Sequence, residues 1–402
     1  MEINNIFIKS LTVDNYKSLK DSTIELQMGL NIIIGKNGAG KSNLLDFIYN
    51  YTGYNLFGYD SRHIYSSNTN FSISVEYDLN NKKNVLSYII KKVRKELRKE
   101  DIIEMPTYEL TINKIENNKT VIKNKRLEVA MPLSNSLTRV DEKIADELEV
   151  IKFLGGNYII FELPQDTYWL TKPNRLTLSR NDPNFAFSSS SFSFFHNLEL
   201  NIFWEAGTKN RFSPGDIDSV KKFLIHQLSN YSEATSINSY LKNFTPITEI
   251  RFNPNLNIYS NKDVIIVENL SIDFLIDGDW MPWSYLSDGT KRLFYLISEC
   301  ISSNQGVILI EEPESGIHPH QLSKVLDFLK EQSRTKQIIV STHSPLTLDI
   351  LKEDELNRII IAKYNKGTKF SKLGKAEIIK AKKYMNEVGE LSYYWLHSDL
   401  EK

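Results

Sequence analysis

Residues Gly35-Lys36-Asn37-Gly38-Ala39-Gly40-Lys41-Ser42 spell the pattern G-x-x-x-x-G-K-S, and no other stretch restricts the fold of this chain so tightly. Such a loop needs a buried strand before it and a helix after it. Its glycines turn sharply between the two and aim backbone N–H groups at one anion. Both neighbours are written in the sequence. Leu30–Ile34 is a short apolar, β-branched run, as a strand covered on both faces requires. Residues 43–50, opening with Asn43, have the spacing of an amphipathic helix whose positive dipole end meets the loop. The chemistry assigns Lys41 to the β- and γ-phosphates of a nucleotide and the Ser42 hydroxyl to magnesium. The backbone from Lys36 to Asn43 cradles the phosphates.

Three segments near the other end of the chain complete a pattern. Residues 307–310 (Val-Ile-Leu-Ile) form a short apolar strand that ends in Glu311-Glu312-Pro313-Glu314. Carboxylates at the carboxyl end of a buried strand beside a P-loop are placed to meet a metal and an attacking water. Glu311 takes the magnesium side, and Glu312 is the candidate general base. A second apolar strand, residues 337–340, runs into Ser341-Thr342-His343-Ser344-Pro345, which makes His343 a candidate γ-phosphate sensor. Before both lies Leu286-Ser287-Asp288-Gly289-Thr290-Lys291-Arg292. It opens a helix predicted to run to about Ser302, with a hydroxyl cap and an acid in its first turn.

P-loop, capped helix, carboxylate strand and histidine strand, in this order, resemble the ABC ATPase family. The resemblance implies an α/β fold: a P-loop α/β core with an antiparallel β lobe, here carrying a mixed α/β insertion. It also implies ATP and Mg2+ as ligands, and a head-to-tail dimer or higher homo-oligomer. In that assembly Ser287 and Gly289 of one copy approach the γ-phosphate held by the P-loop of another. The form Gly-Lys-Asn-Gly-Ala-Gly-Lys-Ser-Asn-Leu-Leu, the segment Tyr16-Lys17-Ser18-Leu19 and the run Glu314-Ser315-Gly316-Ile317-His318-Pro319 are similar to bacterial ATPases of the RecF, OLD and chromosome-maintenance branch. Within it, the ATPase subunits of anti-phage and abortive-infection systems look most alike. Two departures stand out. Asp288 and Thr290 replace the Gly and Gln common in transporter ATPases, and Glu311 replaces the usual Asp.

The rest of the chain is less explicit. The expected division is 1–80, the first half of the head; 81–245, an insertion with a connecting lobe; 246–351, the second half; and 352–402, a basic α/β tail. Strands are expected at 7–14, 22–26, 71–79, 108–115, 121–130, 248–252 and 264–276, with a hairpin turn at Asn117-Asn118. Helices are expected at 82–99, which holds eight Lys or Arg and one acid, at 139–154 and at 213–228. Gln165 sits between apolar runs where a magnesium-sensing glutamine belongs, although an ordinary loop glutamine reads the same way. Arg62 is read as a solvated loop arginine before an ATP contact. Asp277-Gly278-Asp279 is read as a hairpin turn before a metal site. Residues 185–195, rich in Phe and Ser, suit a docking surface if exposed and core if buried. The basic stretches 82–99 and 363–383 suit nucleic acid or a partner protein, or are solvated faces.

Composition excludes several classes. A net charge of -1 gives no global pull toward nucleic acid or membrane. The single cysteine rules out an internal disulfide framework. No apolar run approaches membrane-spanning length, and the N-terminus lacks the layout of a secretory leader, so a cytoplasmic protein is expected. The stretch after His343 is too short for an appended nuclease, which points to an effector on a separate chain. The leading expectation is a defence ATPase that controls such an effector. A RecF-like DNA-repair ATPase is the alternative, and a transporter motor subunit is disfavoured.

Overall fold

The computed structural model describes residues 3–52, 69–80, 82–92, 107–130, 145–154, 156–160, 174–179, 217–219, 221–222, 224, 232–261, 264–302 and 307–398. In chain order the strands and helices begin with β1 (Ile3–Asp14), β2 (Ser22–Glu25), β3 (Leu30–Ile34) and α1 (Lys41–Tyr51). Next come β4 (Asn70–Leu79), β5 (Lys82–Lys92), β6 (Thr107–Glu116), β7 (Lys119–Ala130), α2 (Ala145–Phe153), β8 (Gly156–Ile160) and β9 (Asn174–Ser179). They are followed by α3 (Ser232–Phe244), β10 (Ile247–Phe252), β11 (Asn257–Asn261), β12 (Val264–Leu270), β13 (Ile272–Ile276), β14 (Asp279–Pro282) and α4 (Asp288–Ser302). The last elements are β15 (Val307–Glu311), α5 (Pro319–Gln332), β16 (Gln337–Thr342), β17 (Ile359–Tyr364), β18 (Thr368–Lys372), α6 (Lys375–Glu387) and α7 (Leu391–His397). Contacts divide the chain into two compact units. One comprises Met1–Ile159, Gln305–Ser315 and Leu322–Lys402, and the other Ile160–Asn304 and Gly316–Gln321.

The first unit holds two six-stranded sheets. One is antiparallel, in the order β2-β1-β4-β5-β6-β7. Its β5 corrects an expectation: residues 82–92 of the basic stretch are a strand, not a helix, and residues 93–99 lie outside those described. The physical reason is period two. Asn84, Leu86, Tyr88 and Ile90 are buried on alternate positions, and β-branched and aromatic residues favour the pleated surface. The lysines at its start are paired, Lys82 with Glu116 at 3.0 Å and Lys83 with Glu76. The expected boundary at residue 80 falls in the turn joining β4 to β5, so this sheet continues across it. The Asn117-Asn118 turn is present, with φ of 46° and 64°, the doubly left-handed form that matches strand twist.

The other sheet runs β18-β17-β3-β16-β15-β8 and is parallel across its four central strands. All five residues of β3 and all six of β16 are buried. α1 packs on both sheets. Its Phe47 meets Phe71 of β4 edge-on at 5.4 Å, and its buried face joins Val307 and Leu309 of β15 and Ile339 of β16 in one cluster. Each fully buried large side chain there contributes roughly 1.5–3 kcal/mol. The fully buried Gln337 stitches the sheets together. Its Nε2 donates to the Ile8 carbonyl at 2.8 Å and the Gln27 carbonyl at 3.0 Å, and its Oε1 accepts from the Ile8 N–H at 2.9 Å.

The second unit, described by itself, has two three-stranded antiparallel sheets, β11-β12-β9 and β10-β13-β14. The apolar run at 264–276 is therefore two strands in different sheets, broken at Ser271, and Asn269, left-handed at φ 61°, sits at an irregularity near the end of β12. Asp277 and Gly278, at φ 52° and 91°, make the two-residue hairpin between β13 and β14. Phe274 of β13, Trp283 and Phe294 of α4 form an aromatic triangle with centroids 5.2–5.9 Å apart, which fixes α4 to its sheet. Of the helix expected at 213–228, residues 217–219, 221, 222 and 224 are described and helical.

Candidate active site

Parallel strands deliver their carboxyl ends to one edge, and the site of the first unit is built on that edge. Ile34, the last residue of β3, pairs with Thr342 of β16, and Ser341 pairs with Glu311 of β15. The P-loop, the two carboxylates and His343 thus leave their strands side by side.

The loop itself is tightly backed. A Cβ on Gly35 would stand 2.3 Å from the Ala362 carbonyl of β17. Gly40, the residue before α1, has φ 91°, and a Cβ there would stand 1.9 Å from Thr368 Oγ1 and 2.6 Å from Ser18 Oγ. Ser18 and Thr368 hydroxyls bond each other at 2.7 Å, and Asn43 Nδ2 donates to Ser18 Oγ at 2.7 Å. Tyr16 and Lys17 both bond Asp46 of α1. Burial first, and the Asp46 carboxylate second, push the Tyr16 hydroxyl above its ordinary range, so it remains a donor. Lys36, Asn37 and Gly38 are exposed at the loop tip, and the Ala39 N–H closes the turn on the Lys36 carbonyl at 3.1 Å. Lys41 is buried and donates to the Gly35 and Lys36 carbonyls at 2.7 and 3.1 Å.

Ser42 Oγ donates to Glu311 Oε1, which brings the two expected magnesium-side oxygens into one hydrogen bond. Glu312 follows with φ 47°, a left-handed backbone that costs a non-glycine residue on the order of 1–2 kcal/mol. Its N–H bonds the Ser341 carbonyl at 2.8 Å, which holds that conformation. Glu312 Oε1 lies 2.9 Å from His343 Nδ1, and its Oε2 accepts from Ser315 Oγ at 3.1 Å. Glu314 Oε1 accepts from Thr342 Oγ1 at 2.6 Å and lies 3.6 Å from the same His343 nitrogen.

The expected signature residues lie in the second unit. Ser287 Oγ accepts from the Thr290 N–H at 3.2 Å and caps α4. A Cβ on Gly289 would stand 3.2 Å from the Gly316 carbonyl, and the Arg292 guanidinium lies against Gly316. Gln165, Arg62 and residues 185–195 lie outside the described residues. The roles of Ser18, Thr368 and Ser315 escaped the sequence reading. Tyr16–Leu19 and Glu314–Pro319 stood out there as runs, without individual tasks.

The chain is 25% identical over 376 residues to an ATP/GTP phosphatase of Helicobacter pylori, covering 86% of this chain and 87% of that protein. It is 39% identical over 44 residues to the DNA replication and repair protein RecF of Geobacillus thermodenitrificans, a match spanning 11% of this chain and 12% of that one. The structure of an Smc head bound to the C-winged helix domain of ScpA superposes with a TM-score of 0.50 at 14% identity, covering 93% of this chain and 99% of that chain. The ABC-type α/β head read from the sequence is thus the fold found. The family described as "AAA domain, putative AbiEii toxin, Type IV TA system" matches residues 30–349. With most of its length matched, the chain belongs to that family of ATPases, and its fold is that of an ABC-type head.

Proposed function

We propose that this ATPase closes as a head-to-tail dimer around Mg-ATP, and that its cycle controls a separate effector protein in defence against phage. The observation that carries the reading is the paired arrangement at one strand edge, Ser42 with Glu311 and Glu312 with His343. Ser42 and Glu311 offer hard oxygen donors suited to magnesium, which takes few protein ligands and completes its shell with phosphates and water. When bound, the ion offsets charge on the transferring phosphoryl group.

The remaining roles follow from the chain's own groups. Lys41 steadies the β- and γ-phosphates, and the loop from Lys36 to Asn43 holds the triphosphate through backbone N–H groups. Glu312 accepts a proton from water as the water oxygen attacks the γ-phosphorus. The bond to the bridging oxygen breaks, and ADP departs with that electron pair. His343 senses the γ-phosphate, and Ser287 and Gly289 of a second copy close the site. Gln165 is the proposed magnesium-sensing glutamine.

The family description, with its toxin and type IV toxin–antitoxin wording, supports the defence role. The RecF match favours a second reading, a DNA-clamping repair ATPase. Against a large DNA surface, Lys82 and Lys83 of the basic stretch are paired with acids on neighbouring strands. No helix among the described residues is long and apolar enough to cross a membrane. The deciding experiment is ATP turnover with and without duplex DNA at two salt concentrations. Turnover indifferent to DNA supports a protein trigger. Strong stimulation that fades with salt supports the RecF-like reading.

A further inference from the structure

His343 faces two carboxylates through one nitrogen. Nδ1 is 2.9 Å from Glu312 Oε1 and 3.6 Å from Glu314 Oε1, and only the nearer contact is a hydrogen bond. A carboxylate can only accept, so Nδ1 carries the hydrogen. Glu312 is thus committed twice, to His343 through one oxygen and to Ser315 through the other. A general base must present an oxygen to the attacking water. When Glu312 turns to do so, the hydrogen bond that orients the imidazole is given up.

Glu314 is placed to take it over. Its side chain is 11% exposed, and the Thr342 hydroxyl, at 2.6 Å, aims its Oε1. That oxygen stands only about 0.6 Å beyond an ordinary N–H···O bond from His343 Nδ1. Its other oxygen, Oε2, is buried and has no hydrogen-bond partner among the described residues. Among the described residues the Glu314 carboxylate thus holds one side-chain hydrogen bond, from Thr342, and the imidazole N–H would add a second on Oε1, which has a lone pair open to it.

We infer that Glu314 is a positioning residue for hydrolysis: it receives the His343 Nδ1–H when Glu312 swings to the water, and so keeps the imidazole aligned through the chemical step. The inference rests on the assignment of Glu312 and His343 made above. Glu314 touches neither nucleotide nor water in this account and acts through His343 alone.

The test is steady-state ATP turnover of Glu314→Ala and Glu314→Gln, each also made in a Glu312→Gln background. Glu314→Ala is expected to lower kcat about tenfold with KM for ATP within about twofold. Glu314→Gln, whose amide oxygen still reaches the imidazole, is expected to recover most of that loss. In the Glu312→Gln background, read as the residual single-turnover rate at enzyme in excess of ATP, no base turns, and Glu314→Ala is expected to add nothing. Unchanged kcat in Glu314→Ala overturns the inference. So does an equal loss in both backgrounds, which marks a merely structural role. If Glu314→Ala does not fold, Thr342→Val removes the group that aims Glu314 and is expected to lower kcat with KM unchanged; wild-type kcat there overturns the inference too. Loss of turnover in Lys41→Ala and Glu312→Gln beside normal turnover in Glu314→Ala sinks only the hand-off. Normal turnover in all of them sinks the catalytic assignment itself.

Discussion

Replacing Gly40 by alanine tests how the C-terminal hairpin supports the nucleotide loop. The new Cβ falls 1.9 Å from Thr368 Oγ1, well inside any real contact. Thr368 cannot retreat as backbone: its N–H bonds the Ser18 carbonyl at 2.8 Å, and its carbonyl accepts from Ser22 Oγ at 2.6 Å. The side chain must leave its rotamer and give up the 2.7 Å bond to Ser18. Holding alanine at φ 91° costs about 1–2 kcal/mol. The lost hydrogen bond costs about 1 kcal/mol and the crowding about 1–3 kcal/mol. Together they give about 3–6 kcal/mol. Thr368→Ala alone is expected to destabilise by about 1 kcal/mol through the same hydrogen bond. In the Gly40→Ala background it removes the clashing oxygen and is expected to stabilise. Urea unfolding of the four proteins reads this reversal of sign directly. Equal destabilisation by Thr368→Ala in both backgrounds would refute the claim that the hairpin backs the loop.

Other perturbations probe the frame around the site. Lys114 of β6 and Glu147 of α2 form a buried pair at 2.8 Å, so Lys114→Met is expected to cost about 3–5 kcal/mol in urea unfolding, and Lys114→Met with Glu147→Leu to recover most of it. Burial alone would lower the Lys114 pKa, but Glu147 holds it above the ordinary lysine value. The pair's stabilisation is therefore complete below the unfolded lysine value and lost only as pH rises through the higher folded one, which a pH series of the same unfolding curves checks. Gln337→Leu leaves the buried Ile8 N–H and C=O without this partner and is expected to cost about 2–5 kcal/mol, with earlier hydrogen exchange at Ile8.

The parts of the site legible in the sequence are those whose signals are local. Leu30–Ile34, the loop after it and the two apolar strands ending at Glu311 and Thr342 each carry their own chemistry, and strand order then sets them side by side. The Asp277-Gly278 turn was legible for the same reason. In β5 the lysines clustered at both ends drew attention to charge, while the period-two burial of Leu86, Tyr88 and Ile90 between them decided the structure. What could not be read is contact between distant residues. Thr368 meets Ser18 across 350 positions with no spacing signal in the chain, whereas Glu311 and Ser42, 269 positions apart, were legible as neighbours only through their shared magnesium role. The left-handed backbone of Glu312 also runs against its residue type. It is set by the Ser341 carbonyl on the next strand, not by local propensity.

The measurement that bears most directly on the central claim is ATP turnover of Glu312→Gln, read with its mass by light scattering with and without ATP, beside wild type and Lys41→Ala. The account predicts that Glu312→Gln loses turnover and doubles in mass from its 46.5 kDa chain when ATP is added, and that Lys41→Ala does neither. Turnover in Glu312→Gln at the wild-type rate would contradict it.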